Sequence, residues 1–275
     1  MAIIQRVFSG SAYPVTCKMG PSPAMRLPQE IVQIIIEWLI YDLNSLRSCS
    51  LTCYSWYIVV VPHLHPTLSV VINSLLSARS VRWPNPIRRK YRLGLLPFVK
   101  TLRIRGIYRA AFTPKLLNYF ILRQFSALTN VQRLEIDGLD LPNFLPRIQR
   151  YFGPFLPTVR SLYLKSPKGS NRQIIFFIGL FQHLDDLLLD SSEFYLGDPE
   201  EDLMLFPSSV PPLQGRLAVW DWAKEGFFQD MVHLFGGINF RAMTLLNVHE
   251  TQFLLRACTR TLRVLCLYLT SRTGE

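Results

Sequence analysis

The sequence predicts an α+β molecule: a small N-terminal three-helix unit followed by a longer α/β region built from repeats. Two observations carry this expectation. The stretch LPQEIVQIIIEWLIYDLNSLRSCSLTCYSW, Leu27 to Trp56, places apolar residues at helical spacing. Behind it, seven segments share an apolar–x–x–apolar–x–apolar core. The chain has 275 residues, 49% of them apolar, which is enough to bury a sizeable core in one large domain or two smaller ones.

The helical unit comes first. Pro28 suits a first helical turn, and Glu30 favours the same turn through the helix dipole. Ile31, Ile34, Ile35, Trp38 and Leu39 follow at helical spacing, but Val32 and Ile36 are apolar too. Such a helix must be covered on more than one side. Asp42 and Asn44 can cap a second helix, Leu46, Cys49, Cys53 and Trp56 share a face, and Pro62 is expected to end the run that follows. A piece this short is too small to be stable alone, so it needs the rest of the chain or a partner.

Membrane insertion is excluded on length. No Asp, Glu, Lys or Arg occurs from Ser48 to Ala78, yet Pro62, His63, His65, Pro66 and Asn73 interrupt that window. A span needs about 20 predominantly apolar residues, and neither IVQIIIEWLIY nor IIFFIGLF reaches that. The first 24 residues hold no apolar run of signal-peptide length and read as a disordered tail. Five cysteines, an odd number without framework spacing, suit a reducing compartment, and we expect a cytoplasmic or nuclear protein.

Charge is unevenly placed. The formal net charge is +11, and no acid occurs between Asp42 and Glu135. Acids then gather at Asp185, Asp186, Asp190, Glu193 and Asp198 to Asp202, with no Lys or Arg between Arg172 and Arg216. Residues 67–96, which include SARSVRWPNPIRRKYRLG, are expected to be a basic linker.

The repeat region begins near residue 97. Its segments are VKTLRI at 99, VQRLEI at 131, VRSLYL at 159, LDDLLL at 184, LQGRLAV at 213 (one residue longer), MTLLNV at 243 and LRVLCL at 262. Their central leucines are read as Leu102, Leu134, Leu162, Leu187, Leu217, Leu246 and Leu265. Helical runs lie between several of them: one opened by Thr113-Pro114, then NRQIIFFIGLFQHL, AKEGFFQDMVHLFGG closed by Gly236 and Gly237, and HETQFLLRAC. A short strand plus a helix at intervals of 20 to 30 residues predicts a leucine-rich-repeat-like solenoid, although the Asn or Cys expected after each strand is missing from most units. Residues flanking each apolar pair would then line the open side: Arg103, Arg105, Arg133, Glu135, Asp137, Tyr163, Lys165, Asp186, Asp190, Trp220, Asn247, His249 and Tyr268. The same row is what any exposed strand would present. The chain stops straight after a repeat strand, so a truncated product or a partner-capped end is expected.

The opening stretch resembles the F-box, in the form common among fungal F-box proteins. The resemblance rests on Leu27-Pro28, Glu30-Ile31, Ile35, Leu39, Asp42-Leu43, Leu46, Cys49-Ser50-Leu51, Cys53, Trp56 and the trailing VPHLHPTLSV. It covers residues 25–66 and leaves 97–275 as a substrate-recognition domain. The resemblance implies a substrate receptor of an SCF-type cullin-RING ubiquitin ligase, which binds a Skp-type adaptor, through it a cullin, and separately a target protein. It implies no enzyme activity of the chain's own and no cofactor. Leu27, Pro28, Ile31, Ile35, Leu39, Cys53 and Trp56 match motif positions associated with adaptor packing or the supporting core. Thr52 departs from the pattern, bringing a hydroxyl where a small apolar residue is common.

Other chemistry is weaker. Cys49, Cys53, His63 and His65 have zinc-ligand types, but the cysteines fall on an apolar helix face and the histidines are spaced for a strand or loop. No nucleophile elbow, dinucleotide fingerprint or phosphate loop occurs, and the adjacent Asp185 and Asp186 point to different sides of a strand. The alternative function is a basic nucleic-acid-associated protein whose helical start packs internally. It rests on Arg88, Arg89 and Lys90 interleaved with Trp83 and Tyr91.

Overall fold

The computed structural model describes residues 27–72, 86–106, 125–138, 141, 152–191, 212–222, 226–248 and 251–268. Among these residues three short helices come first, α1 (Gln29–Trp38), α2 (Leu43–Ser50) and α3 (Tyr54–Leu64). Pro28 (φ −53°) precedes α1 with its ring already set for the first turn. Asp42 caps α2: its Oδ1 accepts from the Asn44 N–H at 3.0 Å and the Ser45 N–H at 3.2 Å. Ser45 Oγ also donates to Asp42 Oδ2, at 2.6 Å, and these bonds hold the Asp42 carboxyl below its ordinary value.

These helices close on a small core of Val32, Ile36, Leu46, Trp56 and Val60, with Ile35, Leu39, Cys49 and Cys53 packed around it. The face of α1 therefore differs from the expected one. Val32 and Ile36 point inward, whereas Ile31, Ile34 and Trp38 face water. A helix apolar on most of its circumference offers two stripes, and the one that meets α3 is buried. Pro62 does not end its helix either. It sits in the last turn of α3, where the bond it cannot donate is one that fraying ends lose readily.

Among the described residues eight strands follow in one sheet, in strict chain order and with every neighbouring pair parallel. They are β1 (Thr67–Ile72), β2 (Thr101–Gly106), β3 (Arg133–Asp137), β4 (Ser161–Lys165), β5 (Asp186–Asp190), β6 (Leu213–Trp220), β7 (Ile238–Leu246) and β8 (Val264–Tyr268). An order that never reverses sends successive crossovers the same way. Right-handed crossovers then place their connections on one face. That face is the core. Leu102, Leu134, Leu162, Leu187 and Leu217 stack in register, followed by Ile104, Ile136, Leu164, Leu189 and Val219, all buried. Helices α5 (Asn171–Gly179), α6 (Phe227–Leu234) and α7 (Thr251–Ala257) seal it with Ile174, Phe177, Phe228, Met231 and Leu254. A capping box starts α5: the Gln173 N–H donates to Ser170 Oγ at 3.3 Å, and the Ser170 N–H donates to Gln173 Oε1 at 2.9 Å.

Two sequence expectations change here. The stretch read as a linker supplies β1 and a further helix, α4 (Pro86–Arg92), whose Ile87 joins the core of the sheet. Lys90 on α4 donates from Nζ to the Thr67 carbonyl at 2.7 Å. In β7 the residue aligned with the central leucines is Met243, not Leu246, because Met243 pairs with Leu217 and Leu265. Met243 and Leu245 are buried, and Leu246 faces the other way. The helix expected after Thr113-Pro114 lies outside the described residues, as does the N-terminal tail.

The register between β6 and β7 shifts after Gly215: Gly215 pairs with Phe240 and Arg216 with Ala242, so Arg241 of β7 is skipped. Gly215 adopts φ +95°, and a Cβ there would fall on the Asp185 carbonyl, which accepts the Arg216 N–H at 2.7 Å. Strand exits are also regular. Gly138, Ser166, Asp221 and Asn247 each follow a strand with φ between +43° and +69°. The N–H groups of Gly138, Ser166 and Asp221 donate forward to Lys165, Asp190 and Leu246. A backbone ladder thus does what side-chain amides were expected to do, with one exception: Asn247 Nδ2 donates to Asp221 Oδ1 at 2.7 Å.

Candidate functional site

Among the described residues, helices cover one face of the sheet and none covers the other. Strand alternation puts every second residue of each strand on the open face. The strand register lines these residues up in three rows. The first runs Thr101, Arg133, Ser161, Asp186, Arg216, Ala242; the second Arg103, Glu135, Tyr163, Leu188, Ala218, Thr244; the third Arg105, Asp137, Lys165, Asp190, Trp220, Leu246. Arg103, Arg105, Arg133, Glu135, Asp137, Tyr163, Lys165, Asp186, Asp190 and Trp220 therefore share one surface, as the sequence suggested. Asn247 lies past the end of β7 in the turn, and His249 is outside the described residues. Tyr268 ends the third row on β8. Sequence reading missed Leu188, Arg216, Ala218, Thr244 and Leu246. The signal for them was the alternation itself, obscured by the register shift between β6 and β7 and by the misplaced central residue of β7.

The face is charged over β2 to β4 and more apolar toward β7. Glu135 sits between two arginines: Arg103 Nε is 2.6 Å from Oε2 and Arg133 Nε is 2.8 Å from Oε1. Arg105 Nε lies 3.9 Å from Asp137 Oδ2. The basic run of β2 is thus matched by acids of β3 that are distant in sequence. Further along, Arg216 Nη2 donates to Asp186 Oδ2 at 2.9 Å, which raises the Arg216 guanidinium above its ordinary pKa.

An aromatic and carboxylate group occupies the middle. Tyr163 Oη donates to Asp190 Oδ2 at 3.0 Å, and its ring meets Trp220 edge-on at 6.4 Å between centroids. Burial pushes the Tyr163 phenol far above its usual range, with the bond to Asp190 and the negative charges of Asp190, Asp137 and Glu135 adding to it. The phenol therefore stays protonated and keeps donating. This arrangement suits binding: rigid aromatic surface beside fixed charges.

The second candidate surface is on the helices. Leu27, Pro28 and Ile31 are exposed. Ile35, Leu39 and Cys53 are half-buried against the small core, and Trp56 belongs to it. The seven residues picked from the sequence thus divide into an outer group of three and an inner group of four. Large apolar side chains not picked also face water, among them Ile34, Trp38 (84% exposed), Tyr41 (98%), Leu51 (86%), Tyr54 and Ile58. Ile31, Ile34 and Trp38 form one stripe of α1, and Tyr54 and Ile58 one stripe of α3. Thr52 Oγ1 donates within its own turn to the Ser48 carbonyl at 3.4 Å, so its hydroxyl is not left bare. Cys53 Sγ lies 3.1 Å from Ser55 Oγ, a contact that leads in lowering its thiol pKa. His63 belongs to the last turn of α3 rather than to a strand. Among the described residues, no group of three or more His, Cys, Asp or Glu could hold a metal ion, and no helix is long and apolar enough to cross a membrane.

Compared with protein-family models, with curated proteins and with solved structures, the chain has no match.

Proposed function

We propose that this chain is a substrate receptor of an SCF-type cullin-RING ubiquitin ligase, with an F-box at 25–66 and a leucine-rich-repeat-like target-binding region behind it. The observation that carries the reading is the exposed apolar surface of α1 to α3. A unit this small already has its own core, yet it leaves Ile31, Ile34, Trp38, Tyr41, Leu51 and Tyr54 in water. Exposed apolar patches of that kind mark protein contacts. The order of residues from Leu27 to Trp56 resembles the F-box, whose partner is a Skp-type adaptor, itself bound to a cullin. Leu27, Pro28 and Ile31 would meet the adaptor, while Ile35, Leu39, Cys53 and Trp56 would hold the helices that present them. The target would bind the open face of the sheet, around Tyr163, Asp190 and Trp220.

The test is co-expression with a Skp adaptor, wild type beside the double variant Leu27→Ala/Pro28→Ala. The expected result is a soluble one-to-one complex that the variant loses. If the wild type neither binds nor gains solubility, the reading fails. The nucleic-acid alternative draws less support, because Lys90, one of its three clustered cations, is held by the Thr67 carbonyl and half-buried. Burial lowers the Lys90 pKa. That reading requires RNA binding that weakens steeply with salt.

A further inference from the structure

The two edges of the sheet are not alike. At the β1 edge, Pro66 and Leu68 serve β2, so the polar groups of Thr67 point outward. There Lys90 Nζ, reaching over from α4, occupies the Thr67 carbonyl, and covering an edge strand with a helix is a common guard against further pairing. Among the described residues the β8 edge has no such guard. All five residues of VLCLY are exposed, with Leu265 at 39% and Leu267 at 47%. Those two leucines align with Met243 and Leu245, which are buried.

We propose that β8 pairs antiparallel with β8 of a second copy of this chain, about a two-fold axis at Cys266. This pairing uses the backbone edge of β8 and does not depend on the proposed function. Backbone parity selects the register. Val264 aligns with Ala242, and in a parallel ladder Val264, Cys266 and Tyr268 turn their polar groups toward β7. The N–H and C=O groups of Leu265 and Leu267 therefore point outward. A two-fold axis at Cys266 sets Leu265 opposite Leu267 of the partner copy, so both residues form hydrogen-bonded pairs. The same axis sets leucine on leucine across the helix-side face, and Val264 against Tyr268 on the open face. The strand is self-complementary, as an isologous contact requires. A head-to-tail stack of β8 on β1 would instead have to displace Lys90. Two paired five-residue strands bury well under the ~1,200 Å² of a standard interface, so the dimer is weak and its population rises with protein concentration.

Cys266 reports on this geometry. In an antiparallel pair it occupies a non-hydrogen-bonded position, where opposed Cα atoms are about 4.5 Å apart. That distance is inside the ~4.4–6.8 Å range a disulfide spans. The experiment uses the full chain. Sedimentation equilibrium over rising concentration should show a monomer–dimer equilibrium for the wild type and for Cys266→Ser. Diamide should trap a dimer in the wild type only, with a Cys266–Cys266 peptide identified by mass spectrometry. Leu267→Pro, which removes an outward N–H, should stay monomeric. Leu265→Lys/Leu267→Lys should stay monomeric too, and it keeps the monomer's thermal transition because both side chains already face water. The proposal is overturned if the wild type is monomeric throughout, or if the dimer survives the lysine variant. Growth beyond a dimer, or a link through a different cysteine, would overturn it as well.

Discussion

At the scale of single residues, backbone geometry decides more than side-chain identity. Gly215 is the sharpest case. Its left-handed φ and its approach to Asp185 leave no space for a Cβ. Gly215→Ala should therefore destabilise the fold by about 2 kcal/mol or more, read as a lower urea midpoint. The extra residue in LQGRLAV was visible in the sequence, but not the close approach of Gly215 to a carbonyl, because that carbonyl belongs to another strand. His65 gives a pH signature. Burial, then the charges of Lys90 and Arg89, lowers its pKa from 6.5. A histidine depressed in this way favours the folded state when neutral. Its contribution is complete above 6.5 and lost as pH falls below that value toward the folded-state pKa. Denaturation across that window should show the loss, and His65→Gln should flatten it. The cap at Asp42 was legible, since a short acceptor before a helix has one obvious task. The pairing of Glu135 with both Arg103 and Arg133 was not, because it requires knowing which strands are neighbours.

At the scale of elements, strands were easier to find than faces. Seven of the eight strands show in the sequence as spaced leucine segments, because each buries an alternating pair on one side only. The exception, β1, lies in TLSVVI beside a basic stretch whose charge concealed it. The register of β7 was missed because methionine takes the place of the central leucine, and Leu246 offered a false match three residues on. On α1 the abundance of apolar residues hid which stripe is inside. That distinction is testable. Ile31→Gln/Ile34→Gln/Trp38→Gln should change stability by no more than about 0.5 kcal/mol per site, while Val60→Ala should cost about 1–3 kcal/mol. In an adaptor-binding assay the order should reverse, with the triple glutamine variant losing about 100-fold or more. Ser170→Ala removes one side of the capping box on α5 and should cost about 1 kcal/mol, measured by thermal unfolding.

At the scale of the whole molecule, buried apolar side chains among the described residues gather in a small cluster within α1 to α3 and a large one along the sheet. A core of five buried side chains supports little stability by itself. Hydrogen exchange should find the amides of 29–64 opening together at lower free energy than those of β3 to β6. Binding of an adaptor would then raise protection in the helices without changing the sheet. The strict strand order has a consequence for how the chain is made. During synthesis each new strand finds its only earlier neighbour already present, because that neighbour is the strand just completed. No strand waits for a partner still inside the ribosome, as the early strands of a sheet with shuffled order must. Folding can advance by accretion from β1 onward, with one growing edge exposed at any moment. Ribosome-stalled chains of increasing length should therefore gain protease resistance in steps, one strand at a time, rather than in a single late transition.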